Sequence, residues 1–468
     1  MRNRIRKGKL GCTLAAAAFY RQSYNNTKLA QYFGDGTSAN PSAMIDVALG
    51  SGVTTGLVSG QIDVQSTSSS DNTHEMYGTV LLNPQRLEMG AQLQWNQSLG
   101  NFVDGLWASV SSAIVYVRTH TGATYANAVA NSLATAAKGG GKGLSDFFGG
   151  KSLDKTIPVT QDALTKQVLT TTNNSTTEVA DVRCALGYTL LKEKDYRMDA
   201  SINALIPTGT KPTGSVAFEP NVGNRSVFIG GGLSAQFNLW RSDDKSSSVS
   251  MRAGFDYNYG FGAQQIRTIG MTNTSSGDVA QGQYSLVGSN GTTHTMPLAN
   301  VSTLAVSVVP GSRLESIVGF CYRHNRFTAN VTYNLFYAQQ ESLTLKGSWN
   351  NTQYANIVSS GFVTGSGSPA FTAGTSAFNF SATADYYATP VTVGNPILNP
   401  GNTAGTYALD LDTATTPIQV IHKVGIDTGY RFQFSMPVHT AIGAEVDLSS
   451  NNTSVNSWAV WAKLGFSF

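Results

Sequence analysis

The chain alternates. From Trp458 every second residue is apolar: Trp458, Val460, Ala462, Leu464, Phe466 and Phe468. Most of the residues between them, such as Lys463, Gly465 and Ser467, are small or polar, with Trp461 the exception. A strict period of two is the signature of a strand with two unlike faces. The same signature recurs along the chain and predicts strands near residues 9–24, 85–97, 105–118, 179–191, 196–206 and 225–240. Further strands are predicted near 248–264, 313–322, 327–337, 420–432, 438–448 and 455–468. The pattern is cleanest in the seventh. There Val249, Met251, Ala253, Phe255, Tyr257, Tyr259 and Phe261 oppose Ser250, Arg252, Gly254, Asp256, Asn258 and Gly260.

The connections alternate too. Tight turns near 98–101, 192–195, 241–247 and 323–325 take turns with long segments near 25–83, 119–178, 265–311 and 339–417. Only the last hairpin, 449–454, is a short member of the long set. About twelve strands, an even number, with loops short at one end and long at the other, predict an all-β fold. The fold expected is a transmembrane antiparallel up-and-down β-barrel, one domain over 1–468, with periplasmic turns, extracellular loops and both chain ends on the periplasmic side. Aromatic positions test this. Tyr20, Tyr116, Tyr259, Phe261, Tyr337 and Trp458 fall at the outer rim, and Trp95, Trp240, Phe327, Tyr430, Phe432, Phe466 and Phe468 at the inner rim. Two belts are what a lipid-facing wall needs. The competing arrangement is a soluble barrel or sandwich with the apolar face as its core, in which rings would scatter along the strands.

Composition narrows the function classes. Charged residues are 13% of the chain and hydrophobic ones 41%, yet no apolar run reaches the length of a membrane-spanning helix, about 18 residues or more. A net charge of +3 gives no reason to expect a nucleic-acid partner. Cys12, Cys184 and Cys321 are too scattered for a metal site or a disulfide framework. Met1 to Lys9 is basic, and the apolar stretch after it mimics a secretory signal; Leu10-Gly11-Cys12 even imitates part of a lipoprotein cleavage box. Alternation through Leu10, Cys12, Leu14, Ala16 and Ala18 assigns it to the first strand instead, and without it the strand count would be odd.

If the apolar face meets lipid, the polar face lines the interior. The candidate pore-lining residues are Arg86, Glu88, Asp181, Arg183, Arg197, Asp199, Arg252, Asp256, Arg313, Glu315, Lys423, Asp427, Arg431, Glu445, Asp447 and Lys463. Lys9 and Arg21 share their parity. Two readings follow: a constriction whose transverse field sorts small solutes, or an ion-paired filling of a narrow barrel. Balanced signs argue against strong ion selectivity. Catalysis finds little support. The six histidines show no metal spacing, and no nucleophile elbow occurs. Gly150-Lys151-Ser152 imitates only the end of a phosphate loop, since Ser145 stands where its first glycine belongs. No enzyme, metal or cofactor is expected.

The loops carry their own signals. Residues 124–138 are Ala-rich, with Tyr125, Val129, Leu133 and Ala136 at helical spacing, and Gly139-Gly140-Gly141 would stop that helix. It is expected to pack on loops of its own or a neighbouring barrel rather than deep in the interior. Rings at Tyr77, Phe147, Trp349, Tyr354, Phe371 and Tyr386 suggest that part of each loop packs.

The closing strand with its terminal aromatics, Phe466 and Phe468, resembles the assembly signal of bacterial outer-membrane β-barrels. Ile206-Pro207-Thr208-Gly209 and Phe218-Glu219-Pro220-Asn221-Val222-Gly223-Asn224 look like uncharacterised porin-like proteins of small-genome intracellular bacteria. The resemblance implies an outer-membrane location, outer-membrane lipid and the barrel-assembly machinery as partners, and no established substrate. The expected function is passive diffusion of small hydrophilic solutes through a homo-oligomeric porin. The alternative is a structural coat whose loops form a lattice or adhesion layer.

Overall fold

The computed structural model describes residues 11–24, 44–47, 76–130, 144–151, 160–273, 279–280, 284, 286–289, 294–351, 353–356, 371–373, 378–380, 397–398, 407–450 and 454–468. Twelve strands form the wall, and only these are numbered. They are β1 Cys12–Ser23, β2 Gln85–Ser98, β3 Leu106–His120, β4 Val182–Lys192, β5 Tyr196–Ile206 and β6 Phe228–Arg241. The other six are β7 Ser247–Gly260, β8 Gly311–His324, β9 Phe327–Ala338, β10 Gln419–Phe432, β11 Val438–Ser449 and β12 Ser457–Ser467. Each pairs antiparallel with the next. β12 returns to β1, from Thr13 opposite Ser467 to Ser23 opposite Ser457, so the sheet closes on itself. Cys12 and Phe468 exchange backbone hydrogen bonds of 2.7 and 3.0 Å at the seam. Closure leaves no edge, which makes such a sheet tolerable in lipid.

The apolar parity points outward. Ile202 (65% exposed), Ile426 (63%) and Ile442 (62%) are among its most open members, and Leu93, Phe237, Phe255, Phe320 and Val331 are exposed as well. Large apolar side chains exposed around a whole circumference would be an aggregation hazard in water. In a bilayer they face their proper solvent. The opposite parity turns inward and carries the charges, which is the reverse of a soluble barrel's core. The rim rings pair up: Tyr20 with Trp458 at 5.5 Å and Tyr259 with Phe261 at 5.5 Å on the outer side, Tyr430 with Phe432 at 4.8 Å on the inner. The molecule is an outer-membrane-type transmembrane β-barrel, with short periplasmic turns and long extracellular loops. Among the described residues no helix is long and apolar enough to cross a membrane.

Three strand ends differ from the sequence expectation. The fourth strand is longer than 179–191, because Asn174–Val179 already pairs with the outer half of β3. A break at Ala180 and Asp181 then shifts the ladder onto β4. β6 starts at Phe228 rather than near 225, because Arg225 adopts a left-handed φ of 64° that no strand accommodates. β7 ends at Gly260, and Ala263–Thr268 peels away to pair with Thr303–Val309.

The expected helix over 124–138 is not formed where it can be seen. Thr124–Ala130 is a strand, antiparallel to Met76–Leu81. Alanine-rich sequence favours a helix only weakly, and a helix this short is marginal alone. Here the segment continues β3 after three residues and meets a strand offering unpaired backbone groups. Leu133, Ala136 and the triple glycine lie outside the described residues, as do Lys9, Leu10 and Tyr386.

The outer loops fold into a cap. Ile269, Met271, Val287, Leu298, Val306, Val308, Leu343, Trp349, Leu409 and Ala414 form one buried cluster on small sheets above β7, β8 and β9. A helix, Leu144–Phe148, seats Phe147 and Phe148, and Tyr284 stands edge-on to Phe148 at 5.3 Å. Burial raises the Tyr125 phenol, 6.2 Å from Phe148, to about 12. Lys151 of the imitated phosphate loop is ion-paired with Asp146 at 2.6 Å.

Candidate functional site: the barrel interior

All sixteen candidate residues lie on the inward side of the wall, fifteen on strands and Asp181 at the β3–β4 break. In the outer half they gather into two groups. On one wall Arg21 reaches Glu445 at 2.5 Å, Asp447 at 3.8 Å and Glu88 at 4.0 Å. Arg86 pairs with Glu88 at 2.7 Å, and Lys423 approaches Asp447 at 3.9 Å. On the facing wall Arg183 meets Asp256 at 3.2 Å, and Asn203 donates to the same carboxylate at 2.7 Å. Asn334 donates to Glu315 at 2.6 Å. Arg313 lies 4.0 Å above the Phe228 ring, a cation–π contact. In the inner half Arg197 holds Asp199 at 2.8 Å, and Asn330 donates to Asp427 at 2.6 Å. Among the described residues Arg252, Arg431 and Lys463 have no carboxylate within 4 Å, though Asp427 lies near enough to Lys463 to interact through space.

Period two supplies the inward parity, but the interior also holds large apolar side chains that polarity rules miss. Phe19, Trp107, Phe228 and Trp461 share the inward face. Each sits directly across the ladder from a glycine: Gly90, Gly187, Gly260 and Gly443. A Cβ on Gly443 would stand 2.5 Å from Trp461, and one on Gly260 2.5 Å from Phe228. Each ring therefore lies flat along the wall over a bare backbone instead of jutting into the bore. A large aromatic opposite a glycine was the available sequence signal, readable only once the register is known.

The outer mouth is occupied. Residues 207–227, between β5 and β6, turn into the barrel. Thr119 donates to the Phe218 carbonyl at 2.7 Å. Arg86 donates to the Asn221 carbonyl at 2.9 Å and its side-chain oxygen at 3.1 Å. Asn224 gives its backbone and side-chain N–H groups to Asp181 at 2.8 and 2.7 Å, and Arg313 donates to its side-chain oxygen. Val222 is buried against Val115, Val117 and Phe19. The insert is thus tied to β2, β3, the β4 break and β8.

Its backbone is tightly wound. Gly214, Phe218, Gly223 and Arg225 have φ of 68°, 57°, 80° and 64°. A side chain at Gly223 would also strike Asp181. Glu219 accepts the Thr213 and Gly214 backbone N–H groups at 2.9 and 2.8 Å and so holds the turn. Burial, then the neighbouring Arg267, pushes the Arg225 guanidinium down to about 10, with Gln265 its hydrogen-bond partner at 3.3 Å. Left-handed non-glycine residues persist only where surrounding contacts over-determine them. In the sequence this stretch reads as an ordinary connection; Asn224 and Val222 have no periodicity to announce them.

No family model matches the chain, and no curated relative does. Among solved structures, the chain is similar to an outer-membrane channel from Pseudomonas putida F1, at 8% identity and a TM-score of 0.39 over 99% of this chain and 100% of that one. It is similar to the NanC porin at 10% identity and a TM-score of 0.27, over 81% of this chain and 93% of that one. A third is the toluene transporter TodX of Pseudomonas putida, at 8% identity and a TM-score of 0.28, over 98% and 88%. At these identities and scores the likeness concerns barrel architecture alone.

Proposed function

We propose that the protein is an outer-membrane channel for small hydrophilic solutes, without catalytic activity, whose outer mouth is gated by residues 207–227. The observation that carries this reading is the insert itself. It is held in the mouth by side-chain hydrogen bonds, by the buried Ala217 and Val222, and by a backbone bridge to Val168 of an outer loop, not by strand pairing into the wall. Contacts of that kind can be released while the closed wall stays intact. A wall that served only as an anchor would have no use for an interior with charges at every level. The bore's outer-half ion pairs set charged walls around the path. The segments that resemble porin-like proteins of small-genome intracellular bacteria in sequence, Ile206–Gly209 and 218–224, lie in or beside this insert. We further propose homo-oligomers and Phe466/Phe468-directed assembly, as in other barrels.

Planar bilayers test the function. The wild-type chain should show low or intermittent conductance, and Asn224→Ala with Val222→Asp should open it several-fold at unchanged folding. Absence of conductance from both proteins, with ordered arrays in native envelopes, would favour the coat reading, which the separately cored cap supports.

A further inference from the structure

The sixteen candidate charges include eight of each sign, but once Arg21, Lys192, Arg241 and Arg323, which share their face, are added the interior does not balance by depth. Across the outer half Arg21, Arg86, Arg183, Arg313 and Lys423 face six carboxylates, most of them in the contacts given above. In the inner half the inward strand positions hold seven cations against Asp199 and Asp427 alone. Arg197 is taken by Asp199, and Arg241 by Asp195 of the adjoining turn at 3.5 Å. Lys192, Arg252, Arg323, Arg431 and Lys463 have no carboxylate within 4 Å among the described residues. Lys192 and Arg323 fall on the inward parity only through the observed register, Lys192 opposite Arg197 and Arg323 opposite Ser248.

A cavity of about 150 Å³ opens in this cationic half, between β1–β3 and β11–β12. Lys463 and His439 line it together with the hydroxyls and amides of Thr13, Gln94, Asn96 and Ser109. No carboxylate lines it. His439 is 9% exposed, and neither ring nitrogen has a hydrogen-bond partner. Buried polar atoms without partners are uncommon, and each invites the question of what satisfies it. Gly465 and Ala15 form part of the lining and leave the space free of bulk. Small residues, an ammonium, an imidazole and several neutral donors thus surround one gap. A cation there would meet the Lys463 ammonium with no carboxylate in the lining to offset it, and an apolar guest would leave the imidazole unpartnered. An oxyanion satisfies all of them.

We propose that this cavity binds a phosphate-sized oxyanion, and that the inner half of the bore draws anions to it. The second clause rests on the channel reading; the first does not. The test uses the full chain folded in detergent, with inorganic phosphate as the probe in titration calorimetry at low salt. Saturable binding at one site is expected. Lys463→Gln should weaken it about tenfold or more, as loss of one charge-assisted hydrogen bond would. Lys463→Arg should retain most of it, and Lys346→Gln, on the exposed cap, all of it. His439→Gln gives a second reading should Lys463→Gln not fold. No saturable binding by the wild type, equal loss in Lys346→Gln, or equal competition by tetramethylammonium overturns the site. Conductance from the opened-insert variant separates the two proposals. Binding without conductance removes the channel and keeps the site; conductance without binding removes the site and keeps the channel.

Discussion

Gly443 and Gly465 lie close together in the wall, and the same substitution should have opposite signs at the two. Replacing a strand glycine by alanine restricts the unfolded chain and gains roughly 0.5–1 kcal/mol when the new methyl fits. At Gly465 it fits: the nearest atom to an added Cβ is the Ala15 methyl at 3.6 Å, an ordinary contact. At Gly443 the Cβ would stand 2.5 Å from Trp461 Cζ2 and 2.8 Å from the Asp427 Cβ. An indole is rigid and cannot yield a few tenths of an ångström at one edge, so it must tilt off the wall. Overpacking of this kind costs about 1–3 kcal/mol. Gly443→Ala should therefore destabilise by about 1–2 kcal/mol net, while Gly465→Ala should be neutral or stabilising. Reversible urea unfolding in lipid vesicles, followed by tryptophan emission and gel mobility, measures both. In the background of Trp461→Ala the penalty at Gly443 should vanish, a coupling of about 1–2 kcal/mol. Equal effects at the two glycines, or a penalty that survives removal of the indole, would refute the ring-on-glycine account.

Other outcomes follow from the same geometry. Phe255 is 43% exposed on the lipid side, so Phe255→Arg should cost about 2–4 kcal/mol in a bilayer, and Asn258→Ala on the inward side much less; equal tolerance in the same titration counts against the assigned faces. Deleting Phe468 removes the backbone exchange with Cys12 at the seam, so the heat-modifiable folded band should fall at unchanged synthesis; an undiminished band sinks the idea. Asn224→Ala strips Asp181 of one donor and Arg313 of its acceptor, at about 1–3 kcal/mol, and should raise open-channel occupancy by roughly tenfold or more; an unaltered single-channel record argues that the insert is not a gate.

Much of the wall is legible because lipid imposes a simple rule. With no water to satisfy backbone groups, each crossing must be a paired strand, and each outward side chain must be apolar. Val249 to Phe261 obeys that rule residue by residue, so the faces of β7 can be read without coordinates. The rule weakens at the ends. Phe261 continues the alternation, yet the chain leaves the wall at Gly260, since beyond the rim both faces meet water or cap. Thr124–Ala130 shows the opposite error. Its spacing suits a helix, and only the presence of Met76–Leu81 decides for a strand. A partner more than forty residues earlier in the chain leaves no trace in local periodicity.

The interior is legible in one dimension only. Parity says that Arg252, Asp427 and Lys463 point inward, but it does not say how deep each lies or which strand stands opposite. Counting signs over the sixteen candidates therefore gives a neutral pore, although the outer half is compensated and the inner half is not. Depth comes from where each strand meets its turn, and neighbours come from a register that staggers around the barrel. Both depend on pairings such as Arg21 with Ala459 and Arg252 with Gly319, which bring distant stretches to one level. The insert escapes for a related reason. Its hold on the wall runs through single residues, Asn221, Val222 and Asn224, each meeting a different strand. An interaction that repeats leaves a period in the sequence; one that occurs once, in a loop, does not. Interiors of such barrels are thus assigned by geometry even where their walls are assigned by pattern.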